Sequence, residues 1–203
     1  MKESIVNESF KLFRQYGHKS VTMDDVAKNL GISKKTLYQH FSNKDELLAA
    51  GVTQLITCIL YKIEEINIKQ EHPFKRLSKI YYLLIKEFHA MELVYIYSIN
   101  KYDTKALKVI NLFKDNLISN LVRPLLDEAS EMGLVRPELN VELFLNIRIK
   151  DLDLHYLKLM GYAPGLSLKE AFLHLVAYPI FSICTIEGHV ACEKIVMADI
   201  VNN

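Results

Sequence analysis

Apolar residues recur along this 203-residue chain at intervals of three and four, the period that lines one face of an α-helix. Near the N-terminus, Ile5, Leu12, Phe13 and Tyr16 predict a first helix that Gly17 can terminate. Thr22-Met-Asp-Asp25 reads as an N-cap with acids in the first turn, opening a second helix that runs to Leu30. Gly31 permits a tight turn, and Ser33 can cap a third helix through about Gln39. Asn43-Lys-Asp-Glu46 opens a fourth. Its stripe of Leu48, Val52, Leu55, Ile59, Ile63 and Ile66 predicts one long helix that leaves the N-terminal part and enters the rest of the chain.

The same period continues beyond residue 70. Pro73 fits the first turn of a fifth helix with core positions Leu77, Ile80, Tyr81, Leu84, Ile85 and Phe88. After a short segment, Leu93–Tyr102, a long helix is expected from about Thr104 to Met132, with Pro124 as a kink and Gly133 as its stop. Asn140 can cap a helix to Met160, Gly161–Gly165 forms a loop, and Ser167-Leu-Lys-Glu170 is a capping box for a last major helix to about Ile186. His189–Asn203 leaves room for one more short helix.

Composition agrees with this reading. Only 7 glycines and 5 prolines punctuate the chain, about half the usual share, so turns are few and elements long. The fold class is all-α. Three cysteines, Cys58, Cys184 and Cys192, are too few and too scattered for a disulfide framework or a zinc site, and read as buried thiols in a reducing compartment. The N-terminus opens a charged amphipathic segment rather than a signal peptide. The longest run free of Asp, Glu, Lys and Arg, Ala171–Ile186, falls short of the ~20 residues that span a bilayer. A cytoplasmic protein without a membrane partner is expected.

Charge changes the picture only when divided. The formal net charge of +1 argues against a nucleic-acid partner. Residues 1–44, however, hold eight basic and four acidic side chains, and the remainder 17 basic and 20 acidic. A head at +4 therefore precedes a body at −3.

Within the head, Val26 to Tyr38 has the parts of a helix-turn-helix. Two short helices crossing steeply need a small residue at the crossing, a turn residue tolerant of positive φ, and apolar residues that lock the second helix; Ala27, Gly31, Ile32 and Leu37 supply them, with Phe41 adding to the core. Lys34, Lys35, Thr36, Gln39 and His40 then project as a short, cationic, donor-rich face suited to the major groove of double-stranded DNA. A Lys-Lys pair alone is usually a solvated face, and a lone tyrosine such as Tyr38 usually packs; the spacing of the whole set carries the reading.

The series Thr22, Val26, Ala27, Gly31, Ile32, Ser33, Thr36, Leu37, Tyr38, His40, Phe41, Lys44, Asp45, Glu46 and Leu47 resembles the DNA-binding signature of TetR-family transcriptional regulators, densely over about residues 5–50. Lys35 departs from the pattern, since many members carry a small residue there. The resemblance implies that Thr22, Tyr38 and Lys44 hold the phosphate backbone, where a hydroxyl, a phenol and an ammonium suit phosphate oxygens. Lys34, Lys35, Thr36, Gln39 and His40 are the base-reading candidates, and Ser33 completes the DNA-facing set. The implied domains are a DNA-binding domain at 1–47 and a helical regulatory and dimerisation domain at 48–203.

In the body, 12 of the 17 residues in Leu168–Cys184 are hydrophobic, about twice what a helix with one buried face requires. The family's dimer surface, a four-helix bundle, is thus expected at 141–160 and 168–186, against the alternative of a central helix in a monomeric core. The family body also holds a small-molecule effector. Tyr82, His89, Tyr95, Phe113, Phe144 and Arg148 are the candidate lining residues, although an aromatic at helical spacing is more often core. An inward Arg148 needs an anion, either a ligand carboxylate or Asp151. The seven histidines lack metal-ligand pairing, and no Gly-rich phosphate loop, nucleophile elbow or zincin motif occurs, so neither enzyme, metal nor cofactor is implied. The expected function is a ligand-responsive repressor acting as a homodimer on a palindromic operator. The alternative is a helical small-molecule-binding or protein-interaction module without operator binding.

Overall fold

The computed structural model describes residues 1–69, 71–101, 104–149 and 152–201. Among them helices dominate: α1 (Lys2–Tyr16), α2 (Met23–Leu30), α3 (Lys34–His40), α4 (Lys44–Ile68), α5 (Pro73–His89), α6 (Leu93–Lys101), α7 (Lys105–Asn116), α8 (Arg123–Glu131), α9 (Val141–Phe144), α10 (Leu152–Tyr162), α11 (Leu168–Phe172), α12 (Tyr178–Ile183) and α13 (Ile186–Val201). The chain forms two compact units. One comprises Met1–Cys58 with Ala90–Phe113, the other Ile59–His89 with Lys114–Asn203. The first unit thus takes in α6, most of α7 and the start of α4, beyond the 1–47 domain drawn from the sequence.

In the first unit, α1 buries Ile5, Val6, Ser9 and Phe13, while Tyr16 is 52% exposed. Its apolar face is therefore rotated away from the expected Leu12–Tyr16 edge. Gly17 ends it at φ 76°, with its N–H donating to the Phe13 carbonyl at 2.9 Å. α6 closes over α1: Phe10 meets Tyr95 edge-on at 5.9 Å, and the buried His18 ring pairs through Nδ1 with Ser98 Oγ at 3.0 Å. α4 is long and apolar enough, by length and composition alone, to cross a bilayer. Its buried side chains have protein partners instead, with Leu47, Leu48 and Val52 in the first unit and Ile59 and Ile63 in the second.

The second unit is built around α5, which packs against α8, α10, α11 and α13 and buries Phe74, Leu77, Ile80, Tyr81, Leu84 and Ile85. Three predicted helices here are interrupted by wider π-helical turns, at Leu117–Val122, Leu145–Ile149 and Leu173–Ala177. Two of them stand directly before a proline in the first turn of the next helix, Pro124 in α8 and Pro179 in α12. A proline lacks the N–H that the preceding turn would use, and a wider turn absorbs the change of register. The last major helix stops at Ile183 rather than Ile186. Cys184 is extended (φ −79°, ψ 148°) and bridges Val135 in antiparallel fashion. The tail, expected as a short helix, is the 16-residue α13.

Candidate nucleic-acid interface

Local capping fixes the helix-turn-helix. Thr22 and Asp25 form a reciprocal capping box at the start of α2: the Asp25 N–H donates to Thr22 Oγ1 at 3.2 Å, and the Thr22 N–H donates to Asp25 Oδ2 at 2.9 Å. The Thr22 hydroxyl also donates to that carboxylate at 2.6 Å. These bonds, the side-chain one foremost, hold the Asp25 carboxyl below its usual value. Gly31 takes the left-handed conformation (φ 65°, ψ 27°), and the Ile32 N–H returns to the Ala27 carbonyl at 3.1 Å, closing α2 and aiming the chain into α3. Ser33 caps α3 by accepting the Thr36 N–H at 3.0 Å.

One side of α3 is anchored and the other is open. Leu37 is fully buried, with Val26, Ala27 and Phe41 also in the core, and Ile32 is half-buried at the edge. Ser33, Lys34, Lys35, Tyr38 and Gln39 are exposed, Tyr38 by 50%, while Thr36 and His40 are half-buried. Eight of the nine predicted DNA-facing residues thus lie on or beside α2 and α3, and the ninth, Lys44, begins α4.

Two lysines are already engaged. Lys34 Nζ lies 2.5 Å from Asp24 Oδ2, with both side chains largely exposed. Lys44 Nζ donates to the Val21 carbonyl at 2.8 Å, bracing the loop that leads into α2. Partial burial, followed by the neighbouring charge of Lys19, lowers the Lys44 pKa. Lys19 was not singled out in the sequence, where it is one basic residue in a loop; its charge reaches Lys44 only through the fold. The start of α4 has a second anchor. Lys105 at the head of α7 donates its backbone N–H to both Asp45 carboxylate oxygens at 3.2 Å, and its Nζ to Glu46 Oε1 at 3.0 Å.

The six predicted ligand-lining residues are divided. Tyr95 and Phe113 belong to the first unit, and Tyr82, His89, Phe144 and Arg148 to the second. Tyr95 is buried against Phe10, which raises its phenol pKa. Tyr82 stacks edge-on with Phe172 at 5.7 Å, and His89 Nδ1 pairs with Tyr156 Oη at 3.1 Å. Phe113 and Phe144 are half-buried. Arg148 is exposed rather than inward, so it requires no buried anion, and Asp151 lies outside the described residues. The buried charge of the second unit is instead Asp153, 5% exposed and paired with Lys114 Nζ at 2.7 Å. Nothing in the local sequence distinguishes it from its exposed neighbours.

Comparison with known proteins agrees with this architecture. Residues 5–50 match the family described as bacterial regulatory proteins, tetR family. The chain is 33% identical over 175 residues to YvaF, an uncharacterized HTH-type transcriptional regulator of Bacillus subtilis (strain 168), covering 85% of this chain and 86% of the relative. It is 34% identical over 64 residues to IcaR of Staphylococcus epidermidis, the negative transcriptional regulator of the biofilm operon icaADBC, covering 32% of this chain and 33% of that protein. In fold it is similar to the fatty acid degradation regulator FadR from Bacillus halodurans, with a TM-score of 0.69 at 19% identity, over 86% of this chain and 93% of that one. On the strength of the relationship that runs through both units and of the match across its helix-turn-helix, the chain belongs to the tetR family of bacterial regulatory proteins and is a transcriptional regulator, not an enzyme.

Proposed function

We propose that this regulator is a cytoplasmic, ligand-responsive repressor that acts as a homodimer on a palindromic operator. The observation that carries the reading is α3 itself: seven residues long, locked by Leu37, with Lys34, Lys35, Tyr38 and Gln39 outward. So short a helix reaches too few base edges for specificity, whereas two copies related by a two-fold axis read both halves of a palindrome. Lys34, Lys35, Thr36, Gln39 and His40 face bases; Thr22, Tyr38 and Lys44 face phosphates, and Ser33 completes the DNA-facing set. Because Thr22 and Lys44 also hold the fold, their contacts with phosphate add to bonds already made. Repression is supported by the relative IcaR, a negative regulator.

Self-association is supported by apolar side chains left at the surface of the second unit: Leu143 (56% exposed) on α9, Ile147 (53%) in the following π-helical turn, Leu154 on α10 and Tyr178 on α12. These four residues fall within the expected 141–160 and 168–186. An effector in the second unit is supported by Tyr81, whose fully buried hydroxyl has no hydrogen-bond partner among the described residues, a group that a polar ligand atom or water would satisfy. A ligand that favours the dimer with wrongly spaced recognition helices weakens DNA binding by its difference in affinity for the two states.

The test is selection of genomic fragments by the purified chain, followed by titration across salt. Binding should fall steeply with salt, and Lys44→Ala should lower the log–log slope by about one. Failure to bind any genomic fragment at low salt would end the operator reading. A monomer by light scattering at micromolar concentration would end the dimer reading. A ligand that binds yet leaves operator affinity unchanged would end the coupling.

A further inference from the structure

The apolar stripe of α1 begins with a charged residue. The buried residues of this helix, Ile5, Val6, Ser9 and Phe13, follow the three-and-four spacing of one helical face. Position 2, three residues before Ile5 and four before Val6, shares that face, and it is a lysine. Lys2 is exposed, and its Nζ stands 5.5 Å from the centre of the Phe41 ring. Phe41 is the C-cap of α3, itself buried, with its N–H donating to the Leu37 carbonyl at 3.1 Å. The lysine stem thus continues the packed face of α1, while the ammonium emerges at the C-terminal end of α3.

Several other cations of the first unit are spent on the protein. Lys11 pairs with Glu8 and Lys34 with Asp24, Arg14 donates to the Ala90 carbonyl, and Lys44 donates to the Val21 carbonyl. Lys2 differs from these. A ring face holds a cation in place without neutralising it, and among the described residues no carboxylate is paired with Lys2. Its charge is therefore both positioned and available.

We propose that Lys2 is a further DNA contact, which holds a backbone phosphate at the C-terminal end of α3. The proposal rests on the operator reading above and adds to it a contact from outside the helix-turn-helix, since none of the nine residues of the DNA-facing set comes from α1. Lys34 and Lys35 put their charge in the first turn of α3, and Lys2 puts a third at the other end. A helix of seven residues is about 10 Å long, and phosphates recur about every 3.4 Å along the axis of each strand, so the two ends meet different phosphates. The ammonium is a compact point charge beside the helix that enters the groove. Such a group strengthens binding and fixes orientation without reading sequence.

The experiment titrates binding against salt with the full chain, its N-terminus carrying no added tag. The probes are a genomic fragment retained by the wild type and an unrelated duplex. Lys2→Met keeps an unbranched stem over Phe41 and removes the charge. Its log–log salt slope should fall by about one per subunit, its affinity should drop by the same factor on both duplexes, and its melting temperature should not change. Lys2→Arg should restore the slope. Lys11→Met, which removes another exposed cation of α1, should leave it at the wild-type value. An unchanged slope in Lys2→Met would overturn the proposal. So would an equal loss in Lys11→Met, which would make the effect one of overall charge, or a loss confined to the genomic fragment, which would make Lys2 a base contact. A slope lost in Lys2→Arg as well would assign the effect to packing on Phe41 and overturn it too. A wild type that binds no fragment at low salt ends the operator reading and this contact together, whereas a wild type that binds no better than Lys2→Met ends the contact alone.

Discussion

In the first unit polar side chains close helix ends at the surface, Thr22 with Asp25, Ser33 with the Thr36 N–H, and Asn43 with the Glu46 N–H, while His18 and Ser98 pair in the interior. In the second unit, which has surface caps of its own at Asn140 and Ser167, a charged pair is also carried inside. Lys114 and Asp153 pair with only 14% and 6% of their side chains exposed, Tyr81 buries its hydroxyl, and the buried Cys184 thiol donates to the Ile180 carbonyl at 3.2 Å. The surface caps link residues three apart; the buried pair links residues 39 apart. Local caps keep the outer face of α3 in place without occupying most of its donors, which leaves them for the DNA contacts proposed above. Interior pairs are different, because a buried charge without its partner is costly, so each such pair fixes the relation of two distant segments.

The most severe test of this contrast lies in the second unit. A Cβ on Gly188 would stand 1.9 Å from the Leu134 carbonyl oxygen, which is backbone and cannot swing away. Gly188→Ala should therefore destabilise by about 4 kcal/mol or more, or prevent folding, as read by denaturant unfolding. Gly161, at the end of α10, has nothing within 4 Å of a built Cβ. Gly161→Ala should be neutral or stabilise by a few tenths to about 1 kcal/mol, since alanine favours the helix.

Next comes the buried pair. Lys114→Met leaves Asp153 charged and unpartnered, and should destabilise by about 3 kcal/mol. The double variant Lys114→Met with Asp153→Leu should recover most of that loss, because two apolar side chains make no unmet demand. If the single and double variants were equally destabilised, packing rather than the charge pair would explain the effect.

In the first unit the expected effects shrink to those of exposed caps. Ser33→Ala removes the acceptor for the Thr36 N–H and should lower stability by about 1 kcal/mol. The same variant should also weaken DNA binding, because α3 frays at the end that the proposed function places in the groove.

The same difference in range explains what could be read from the chain. The capping residues Thr22, Ser33, Asn43, Asn140 and Ser167 were all legible, since each bonds to a backbone N–H within three residues and carries its signature in sequence. So was the turn at Gly31, which needs a positive φ. The π-helical turns were not, although Pro124 marked one of them: helical periodicity shows that a register must shift, not how. Asp153 and Gly188 were equally silent, because their partners Lys114 and Leu134 come from distant segments. Arg148 shows the reverse error. Its apolar flanks suggested burial, yet Ile147 beside it is itself half-exposed, so the apolar run marks an open surface and not an interior.

The smallest expected effect lies at the junction of α4 and α7, where Glu46 is half-buried and held by several donors. Its carboxylate accepts from the Ser42 hydroxyl, from Lys105 Nζ at 3.0 Å and from the Ser42 N–H at 3.2 Å. Those bonds, the Ser42 hydroxyl foremost, lower its pKa from 4.5 to about 2. A carboxyl whose folded pKa is depressed contributes stability that is complete above its unfolded value, declines as pH falls toward the folded one, and is absent below both. Melting temperatures of the wild type and Glu46→Gln should therefore differ at pH 6, converge between pH 4.5 and about 2, and coincide below that. Partial exposure and salt screening keep the difference small, and added salt should narrow it further. A gap that instead persisted unchanged at pH 2 would mean that the glutamine disturbs the Asn43 cap beside it, and not that a charge had been lost.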